Sequence, residues 1–362
     1  MRAVMRWLGT ILLFLAVALC LAPTLIPPFL DRTYYRGPPS GHFDGERFFN
    51  PNAPRPETRG RRSFVNRWAG SVERARWPDH VPVTPTVPPR RVEGEAMRVT
   101  WIGHSTVLVQ TQGLNILTDP IWSKRASPFS FIGPSRVREP GVRFQDLPKI
   151  DLVLVSHNHY DHLDLPTLRR LWERDRPLIV TGLGNDIIIA QAGAQAAARD
   201  WGGRVAVRPG VEVLVERNHH WSSRWFTDRN RALWSAFTVR LPGGNIFFSG
   251  DTGWGDGSWV REAARHGPFR LAIIPIGAYL PRDVMWGSHV DPAEAMRIFA
   301  ALNPTRALGV HWGTFQLTFE AIDDPRHRLA ALGRERRLAP DRFIATEAGQ
   351  PFSVPPLARP AR

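Results

Sequence analysis

Four polar side chains with the spacing of metal ligands follow a largely apolar run at residues 151–155: His157, His159, Asp161 and His162. Side chains alternate along extended backbone, so His157 and His159 project to the same side and one ion can take both. Asp161 and His162 follow where the chain turns toward the next predicted helix, and can point at a second ion. Imidazole and carboxylate suit Zn²⁺ or iron. The segment therefore predicts a metal site at the end of a strand.

Further histidine and aspartate residues recur along the chain, among them His220, Asp251 and His311. Taken alone, a histidine on an apolar strand is more often a satisfied core residue than a ligand. His220 is also ambiguous with its neighbour His219. The single cysteine, Cys20, lies in an apolar N-terminal run, so the folded part offers no thiolate to a metal. Any metal must be held by histidine and carboxylate.

The pattern His-x-His-x-Asp-His after a strand resembles the signature of the metallo-β-lactamase superfamily, and the resemblance extends over residues 97–315. In that family a histidine, a bridging aspartate and a final histidine follow at later strand ends. The resemblance implies two zinc ions with these ligands: His157, His159 and His220 for one ion, Asp161, His162 and His311 for the other, and Asp251 for both. Iron or manganese is an alternative for one ion.

A finer resemblance is to the N-acylphosphatidylethanolamine-hydrolysing phospholipase D group and the ascorbate-6-phosphate lactonase-like proteins. It is carried by short motifs at residues 103–106 (GHST), 117–120 (LTDP), 127–134 (SP through GP), 228–234 (DRN with LW), 275–279 (PIGAY) and 289–292 (HVDP). Residues 43–51 (FDGERFFNP) also look like that group's N-terminal arm. The membrane segment and an arm whose lipid-binding residues do not align are departures, and they leave the acyl specificity open.

The resemblance also implies roles for residues around the metals. His289, just before a predicted helix N-cap, is expected to approach a phosphate beside helix amides, with a helix-entry role as its alternative. Tyr279 is expected to contact substrate or else to pack. Asp119 and His104 are expected to orient the ligand loop from behind the metal ligands.

Two metal ions about 3.5–4 Å apart lower the pKa of a shared water toward ~7, and the hydroxide attacks phosphorus. We expect Asp251 to hold the bridge, Asp161 to orient the hydroxide, and a metal-bound water or His289 to protonate the leaving group. The predicted function is cleavage of a phosphodiester, with a phospholipid as substrate. The alternatives are a zinc-dependent lactonase or phosphosugar hydrolase and, as a different class, a non-catalytic membrane-anchored scaffold.

The pattern of elements predicts an α/β fold, a four-layer αββα sandwich over residues 96–350 with a tail at 351–362. Short strands run from residue 97 onward, and helices are predicted at residues 165–172, 186–197, 292–302 and 319–332. Asp164 and Asp291 precede two of these helices as N-caps. Strands grouped between helices favour two stacked sheets over an alternating barrel.

The first 30 residues predict a membrane segment. Residues 7–26 carry no charge, and about 20 such residues cross a bilayer. A cleavable signal peptide is the alternative. Arg2 and Arg6 ahead of the run place the N-terminus in the cytoplasm and the catalytic domain on the extracytoplasmic face, although Arg32 and Arg36 weaken this orientation. Residues 31–95, rich in proline and arginine, predict an extended arm and linker, in which residues 43–51 pack on the domain.

The composition indicates which kinds of partner the protein could bind. The chain has 362 residues, 43% of them hydrophobic, and a formal net charge of +14, carried almost wholly by arginine. Such a charge suits anionic partners such as phospholipid head groups, although arginine excess by itself identifies no site. The sequence contains no nucleic-acid-binding motif, so no nucleic-acid partner is expected. The oligomeric state stays open, with a homodimer as one alternative.

Overall fold

Two seven-stranded mixed β-sheets form the body of the molecule, seen in a computed structural model that describes residues 2–25, 33–52, 73–225 and 227–357. The strands of the first sheet are β1 Met97–Gly103, β2 Thr106–Thr111, β3 Leu114–Thr118, β4 Leu152–Val155, β5 Leu178–Gly182, β6 Ala197–Arg199 and β14 Pro351–Ser353. The strands of the second sheet are β7 Arg204–Arg208, β8 Val211–Glu216, β9 Ala236–Arg240, β10 Asn245–Phe248, β11 Phe269–Pro275, β12 Arg306–Val310 and β13 Phe343–Ile344.

Each sheet has an antiparallel half and a parallel half. The first sheet has the order β14-β1-β2-β3-β4-β5-β6, and its strands from β3 to β6 are parallel. The second has the order β13-β12-β11-β10-β9-β8-β7, and its strands from β10 to β13 are parallel. Neighbouring parallel strands end at the same edge of a sheet, so residues that follow them are brought together.

The alternation of side chains along β4 shows how the first sheet is covered on both faces. Leu152 and Leu154 pack in the large core between the sheets. Val153 and Val155 pack on the other face, in a separate cluster with Leu168 of the following helix. A strand buried on both faces is rigid, which suits the ligand loop that follows β4.

Helices cover the outer faces of the two sheets. In chain order they are α1 Arg2–Leu25, α2 Leu165–Asp175, α3 Asn185–Ile189, α4 Ser258–Ala264, α5 Arg282–Met285, α6 Pro292–Leu302 and α7 Asp324–Glu335. Helices α2 and α3 bury residues against the first sheet, and α6 packs against β11 of the second sheet and against α4 and α7. Asp291 caps α6 in a reciprocal capping box with Glu294, as the sequence predicts. The arrangement is an α/β sandwich of two sheets flanked by helices.

Helix α1 contains a stretch, Met5–Ala22, that is long and apolar enough to cross a membrane. Its described side chains are mostly exposed, and Cys20 is among them. A signal sequence near an N-terminus has the same length and composition, so the predicted anchor and its alternative both remain.

Two predicted helices and one predicted cap differ from the structure. The helix expected at 186–197 ends at Ile189 with a single 3-10 turn, because Gly193 adopts φ 73° and residues 197–199 pair with β5 as a strand. The helix expected from 319 begins only at Asp324, with a proline in its first turn. Asp164 makes no cap hydrogen bond, since its carboxylate accepts instead from Ser123 and Trp122.

The sequence also did not predict four of the strands. Strands β5, β6, β13 and β14 carry too short a pattern to be recognised alone, and they exist because a neighbouring strand offers hydrogen bonds. Residues 351–353, predicted to begin the tail, pair with β1 as an edge strand of the first sheet. Local periodicity carries no information about such long-range pairing.

The arm lies against the domain. Phe43 and Phe48 are buried with Leu233 and Trp234 in a small cluster of their own, as expected for residues 43–51. Residues 73–95 run along the domain without helix or strand, and backbone hydrogen bonds such as Val81 to Val137 hold them there. The part of the predicted linker at 53–72 lies outside the described residues.

Candidate metal centre

The histidine and aspartate residues predicted as ligands follow strands of both sheets. The ligand loop, residues 157–162, follows β4, Asp251 follows β10, His311 follows β12, and His220 follows β8 after a short connection. All seven predicted ligand side chains lie in buried or nearly buried positions and converge on one place. The structure therefore brings together the residues that the sequence places more than 150 positions apart.

The first group of side chains consists of His157, His159 and His220. The Nε2 atom of His157 lies 2.7 Å from Nδ1 of His159, and Nε2 of His220 lies 3.4 Å from the same Nδ1 atom. One ligand atom of each ring lies within 4.8 Å of the others, which is the spacing of a metal site. Because these ring nitrogens face one another at short distances, few of them can carry a proton. A cation bound among them would satisfy their lone pairs.

The second group consists of His104, Asp161, His162 and His311. The Oδ2 atom of Asp161 lies 3.2 Å from Nε2 of His162 and 3.3 Å from Nε2 of His311. His104 also belongs to this group, because its Nε2 atom lies 2.8 Å from the same carboxylate oxygen. His104 therefore contacts a predicted metal ligand directly, as expected for a residue that orients the loop.

Asp251 lies between the two groups. Its Oδ2 atom is 2.9 Å from Nε2 of His311, 3.1 Å from Nε2 of His162 and 4.0 Å from Nε2 of His220. A carboxylate at this point could contact an ion held by either group. Its other oxygen, Oδ1, is buried and accepts no hydrogen bond from the described residues.

The donor set fits metal ions such as zinc. Imidazole and carboxylate are zinc ligands; the first group offers three side chains and the second offers four, and Asp251 lies between them. Nε2 of His159, like Oδ1 of Asp251, is a buried atom without a hydrogen-bond partner among the described residues. Buried polar atoms without partners are costly, and a bound cation is one way in which such a cost is met.

The two groups differ in how strongly they hold protons. Burial lowers the pKa of His157 and His220 well below the ordinary value and that of His159 to about 3, so these rings are neutral at pH 7. Burial also opposes the charge on His311, but the carboxylates of Asp251 and Asp161 outweigh it and raise the pKa to about 9. The same carboxylates and Asp119 raise the pKa of His162 well above its usual range.

Outer partners fix the orientation of several rings. Asp119 accepts from Nδ1 of His162 at 2.6 Å and from the backbone and hydroxyl of Ser156. His220 donates through Nδ1 to the carbonyl oxygen of Ser288 at 2.9 Å, which leaves Nε2 facing the first group. The ring of His219 lies beside Gly255 instead. The geometry therefore selects His220 over its neighbour.

His289 belongs to a group with His220 and Asp251, and its Nδ1 atom lies 3.8 Å from Oδ2 of Asp251. Burial lowers the pKa of His289 to about 4, so the ring is neutral at pH 7. The capping box already engages the amides of Asp291 and Glu294. These two helix amides, expected to meet a phosphate beside His289, are therefore occupied.

Tyr279 is buried, and its hydroxyl donates to the carboxylate of Asp324. Burial and this carboxylate raise the pKa of the phenol well above its usual range. The contact favours the alternative in which Tyr279 packs within the fold. A role in contacting substrate remains a prediction.

Two residues that the sequence did not single out hold the site from behind. The guanidinium of Arg224 donates to the carbonyl oxygens of Asn158 and Leu163, at 2.9 and 2.8 Å, and lies 3.9 Å from the ring centre of Tyr160. It thus joins both ends of the ligand loop. Asn50, on the arm, donates to the carbonyl oxygen of His220 at 2.8 Å. The only signal for Asn50 was the aromatic character of its segment, and Arg224 had none.

We expect Arg224→Ala to lower the free energy of unfolding by about 3 kcal/mol, because two buried carbonyl oxygens lose a charged donor. The zinc affinity should fall by about 10- to 100-fold as the loop loosens. Denaturant unfolding and competition with a zinc chelator measure the two effects. Arg204→Ala, at an exposed position on β7, is the control and should change neither. An unchanged zinc affinity in Arg224→Ala would contradict the role of this residue.

Gly277 shows how close packing positions His311. A Cβ atom at Gly277 would overlap the carbonyl oxygen of His311, whose own backbone has the left-handed φ of 62°. We expect Gly277→Ala to destabilise the protein by about 2 kcal/mol or more, since neither backbone can move freely. Gly287→Ala is the matched control, because its Cβ would meet nothing within 4 Å. Thermal unfolding of the two variants tests this, and equal melting temperatures would refute it.

The chain is similar to proteins named as hydrolases. A model of the β-lactamase superfamily domain matches residues 114–312. N-acyl-phosphatidylethanolamine-hydrolyzing phospholipase D 1 of Caenorhabditis elegans is 35% identical over 263 residues, which cover 69% of this chain and 74% of the relative. The mitochondrial N-acyl-phosphatidylethanolamine-hydrolyzing phospholipase D of Saccharomyces cerevisiae is 34% identical over 239 residues, covering 64% of this chain and 51% of the relative.

Solved structures share the fold. Isothiocyanate hydrolase from Delia radicum gut bacteria aligns with a TM-score of 0.57 at 17% identity, over 71% of this chain and 99% of that one. Igni18, a metallo hydrolase from Ignicoccus hospitalis, aligns with a TM-score of 0.53 at 19% identity, over 72% of this chain and 99% of that one. The domain model spans more than half of the chain, and it includes β3, β4 and the strand ends that carry the site. The chain therefore belongs to the β-lactamase superfamily.

Proposed function

We propose that this protein is a dinuclear zinc hydrolase that cleaves the phosphodiester of a phospholipid of the N-acylphosphatidylethanolamine type. The observation that carries the proposal is the convergence of two ligand groups on Asp251, whose Oδ2 atom lies within 4.0 Å of histidine nitrogens of both. The substrate class is supported by the Caenorhabditis elegans relative, which is 35% identical and named for hydrolysis of that lipid.

Zinc ions, when bound, supply Lewis acidity and activate water for attack on phosphorus. The chain's side chains would divide the remaining work. His157, His159 and His220 would hold one ion, and Asp161, His162 and His311 the other, with Asp251 shared between them. His104 would fix the carboxylate of Asp161, and Asp119 would fix the ring of His162.

His289 would bind the substrate phosphate as a neutral hydrogen-bond donor. Burial lowers its pKa to about 4, so at pH 7 the ring carries one N–H and no charge to give up. This state suits donation of a hydrogen bond to an anionic oxygen better than protonation of a leaving group. A proton for the departing alkoxide would then come from water at the site.

A substrate panel tests the function. The zinc-loaded full chain is assayed with N-acylphosphatidylethanolamine in mixed micelles, with a soluble aryl phosphodiester and with a set of lactones. We expect zinc-dependent release of phosphatidic acid from the lipid and turnover of the soluble diester. Turnover of lactones alone would overturn the phosphodiesterase proposal in favour of a lactonase. Bound zinc without any turnover would favour the scaffold alternative.

We also propose that α1 anchors the protein to a membrane, with the folded domain on the extracytoplasmic face. The apolar helix and the two arginines that precede it support this topology. Protease treatment of sealed, right-side-out membrane vesicles, whose outer face is the extracytoplasmic one, tests the orientation. Mass measurement of the intact chain tests whether the N-terminus is cleaved. A cleaved N-terminus would replace the anchor by a signal peptide, and a protected domain would reverse the orientation.

A further inference from the structure

A short apolar loop, residues 124–134, stands out from the described surface of the domain. Its tip exposes three large apolar side chains, with exposed fractions of 44% for Phe129, 77% for Phe131 and 58% for Ile132. The two phenylalanine rings lie 5.5 Å apart, so they form one patch. Beyond α1, the other strongly exposed apolar side chains among the described residues are scattered singly: Phe49, Val87, Ile187 and Trp286.

The backbone of this apolar loop is closed on itself. Its ends are joined by hydrogen bonds from Ala126 to the carbonyl oxygen of Pro134 and from Arg136 to that of Lys124. The guanidinium of Arg125 turns inward and donates to the carbonyl oxygens of Ser130, at 3.2 Å, and Gly133, at 2.6 Å. Because these carbonyl oxygens accept hydrogen bonds from within the loop, moving them from water into an apolar medium costs less free energy. The tip can therefore enter a membrane with its apolar side chains first.

The root of the apolar loop lies beside the metal centre. Arg136 pairs with Phe315 across an isolated bridge, and its guanidinium lies 4.8 Å from the centre of that ring. Phe315 in turn contacts His104 edge to face, at 5.3 Å between ring centres. His104 holds the carboxylate of Asp161. Two side chains, those of Phe315 and His104, therefore connect Arg136 at the base of the loop with the predicted metal ligand Asp161.

The charge of the segment matches an anionic lipid surface. The apolar loop itself, residues 124–134, carries Lys124 and Arg125 and no aspartate or glutamate. Lys124, one of only two lysines in the chain, is exposed at the base of the loop. Apolar side chains that enter the acyl boundary with a cation at head-group level are the usual composition of an interfacial anchor.

We propose that the apolar loop inserts Phe129, Phe131 and Ile132 into the surface of an anionic phospholipid bilayer and thereby holds the metal centre against the membrane. The proposal rests on the proposed phospholipid substrate for its purpose, but the insertion itself can be measured without turnover. It assigns to this loop a task separate from that of α1: the helix would tether the chain, and the loop would orient the domain.

Fluorescence of the full chain tests the insertion. Cys20 is replaced by serine, and an environment-sensitive fluorophore is attached to Phe131→Cys or, as a control elsewhere on the surface, to Ile187→Cys. In vesicles of phosphatidylcholine with phosphatidylglycerol, we expect a blue shift and quenching by spin-labelled lipid at position 131 only. No shift at 131, or equal shifts at both positions, would overturn the proposal. A shift without lipid that grows with protein concentration would assign the patch to a second copy and also overturn it.

A double variant, Phe131→Ser with Ile132→Ser, measures the consequence for catalysis. Each lost side chain removes apolar area that membrane insertion would bury, so KM for lipid in vesicles should rise by about 30-fold. Turnover of a soluble phosphodiester should stay unchanged, because neither side chain lies among the metal ligands. Equal loss on both substrates would show damage to the site and overturn the docking role. If the unsubstituted protein cleaves no phosphodiester, the proposed function is wrong. The fluorescence experiment still tests membrane insertion, because it does not depend on turnover.

Discussion

Asp251→Asn should lower kcat/KM for the phosphodiester by about a thousand-fold or more, the largest effect that we expect from a single substitution. The Oδ2 atom of Asp251 lies near histidines of both ligand groups, at 2.9 Å from His311 and 4.0 Å from His220. Asparagine has the same shape but no negative charge. The two cations would therefore lose their shared counter-charge while the surrounding packing is kept.

The measurement combines steady-state kinetics with elemental analysis of bound zinc. Asp256→Asn is the matched control, because Asp256 is an exposed carboxylate close by in sequence that lies outside the ligand groups formed by described residues. We expect this control to keep both its zinc and its activity. Near-normal turnover by Asp251→Asn would remove the basis for a shared ligand, and with it the dinuclear mechanism.

We expect the affinity for the second zinc ion, the one that Asp161, His162 and His311 would hold, to fall as the pH is lowered. For each proton that the ion displaces, the affinity should fall about tenfold for each pH unit below the pKa of the displaced group. The carboxylates around His311 outweigh burial and raise its pKa to about 9, so the metal-free ring is protonated at pH 7. Burial also opposes a charge on His162, but the carboxylates of Asp251, Asp161 and Asp119 outweigh it and raise its pKa well above the usual range. A metal ion competes with these protons for the same nitrogens. The zinc affinity of this group should therefore rise with pH until the pH reaches the pKa of the displaced groups.

The first ion behaves differently and provides the internal control. Burial keeps His157, His159 and His220 neutral at pH 7, so their lone pairs are already available. Calorimetric zinc titrations in buffers of different ionisation enthalpy count the protons released. We expect about two protons for the second ion and almost none for the first. Equal proton release in both steps would contradict the division into two groups.

The sequence predicts which histidine and aspartate side chains converge better than it predicts the residues that position them. The spacing of residues 157–162 after a strand depends only on local alternation, and the motifs around His220, Asp251 and His311 carry the family pattern. All of these side chains converge in the structure.

Features that depend on distant contacts were not predictable from local patterns. Arg224 acts on carbonyl oxygens about 60 residues earlier in the chain, and nothing in its neighbours marks it. The segment at 186–197 has helical periodicity, yet its last residue enters a sheet because β5 offers an unpaired edge. The same reason accounts for β14, which completes the first sheet from the far end of the chain.

The hydrogen bonds from the arm to the domain also determine how far the chain can be shortened. Tyr34 donates to Asp228 at 2.9 Å, and Asp228 accepts the backbone N–H of Arg224, the residue that joins both ends of the ligand loop. Asn50 reaches the carbonyl oxygen of His220 directly. A protein trimmed to residues 114–312 would lose these supports together with β1, β2 and β14. The smallest unit worth expressing therefore starts before Tyr34 and runs past Ser353, well beyond the segment that sequence similarity alone would mark out.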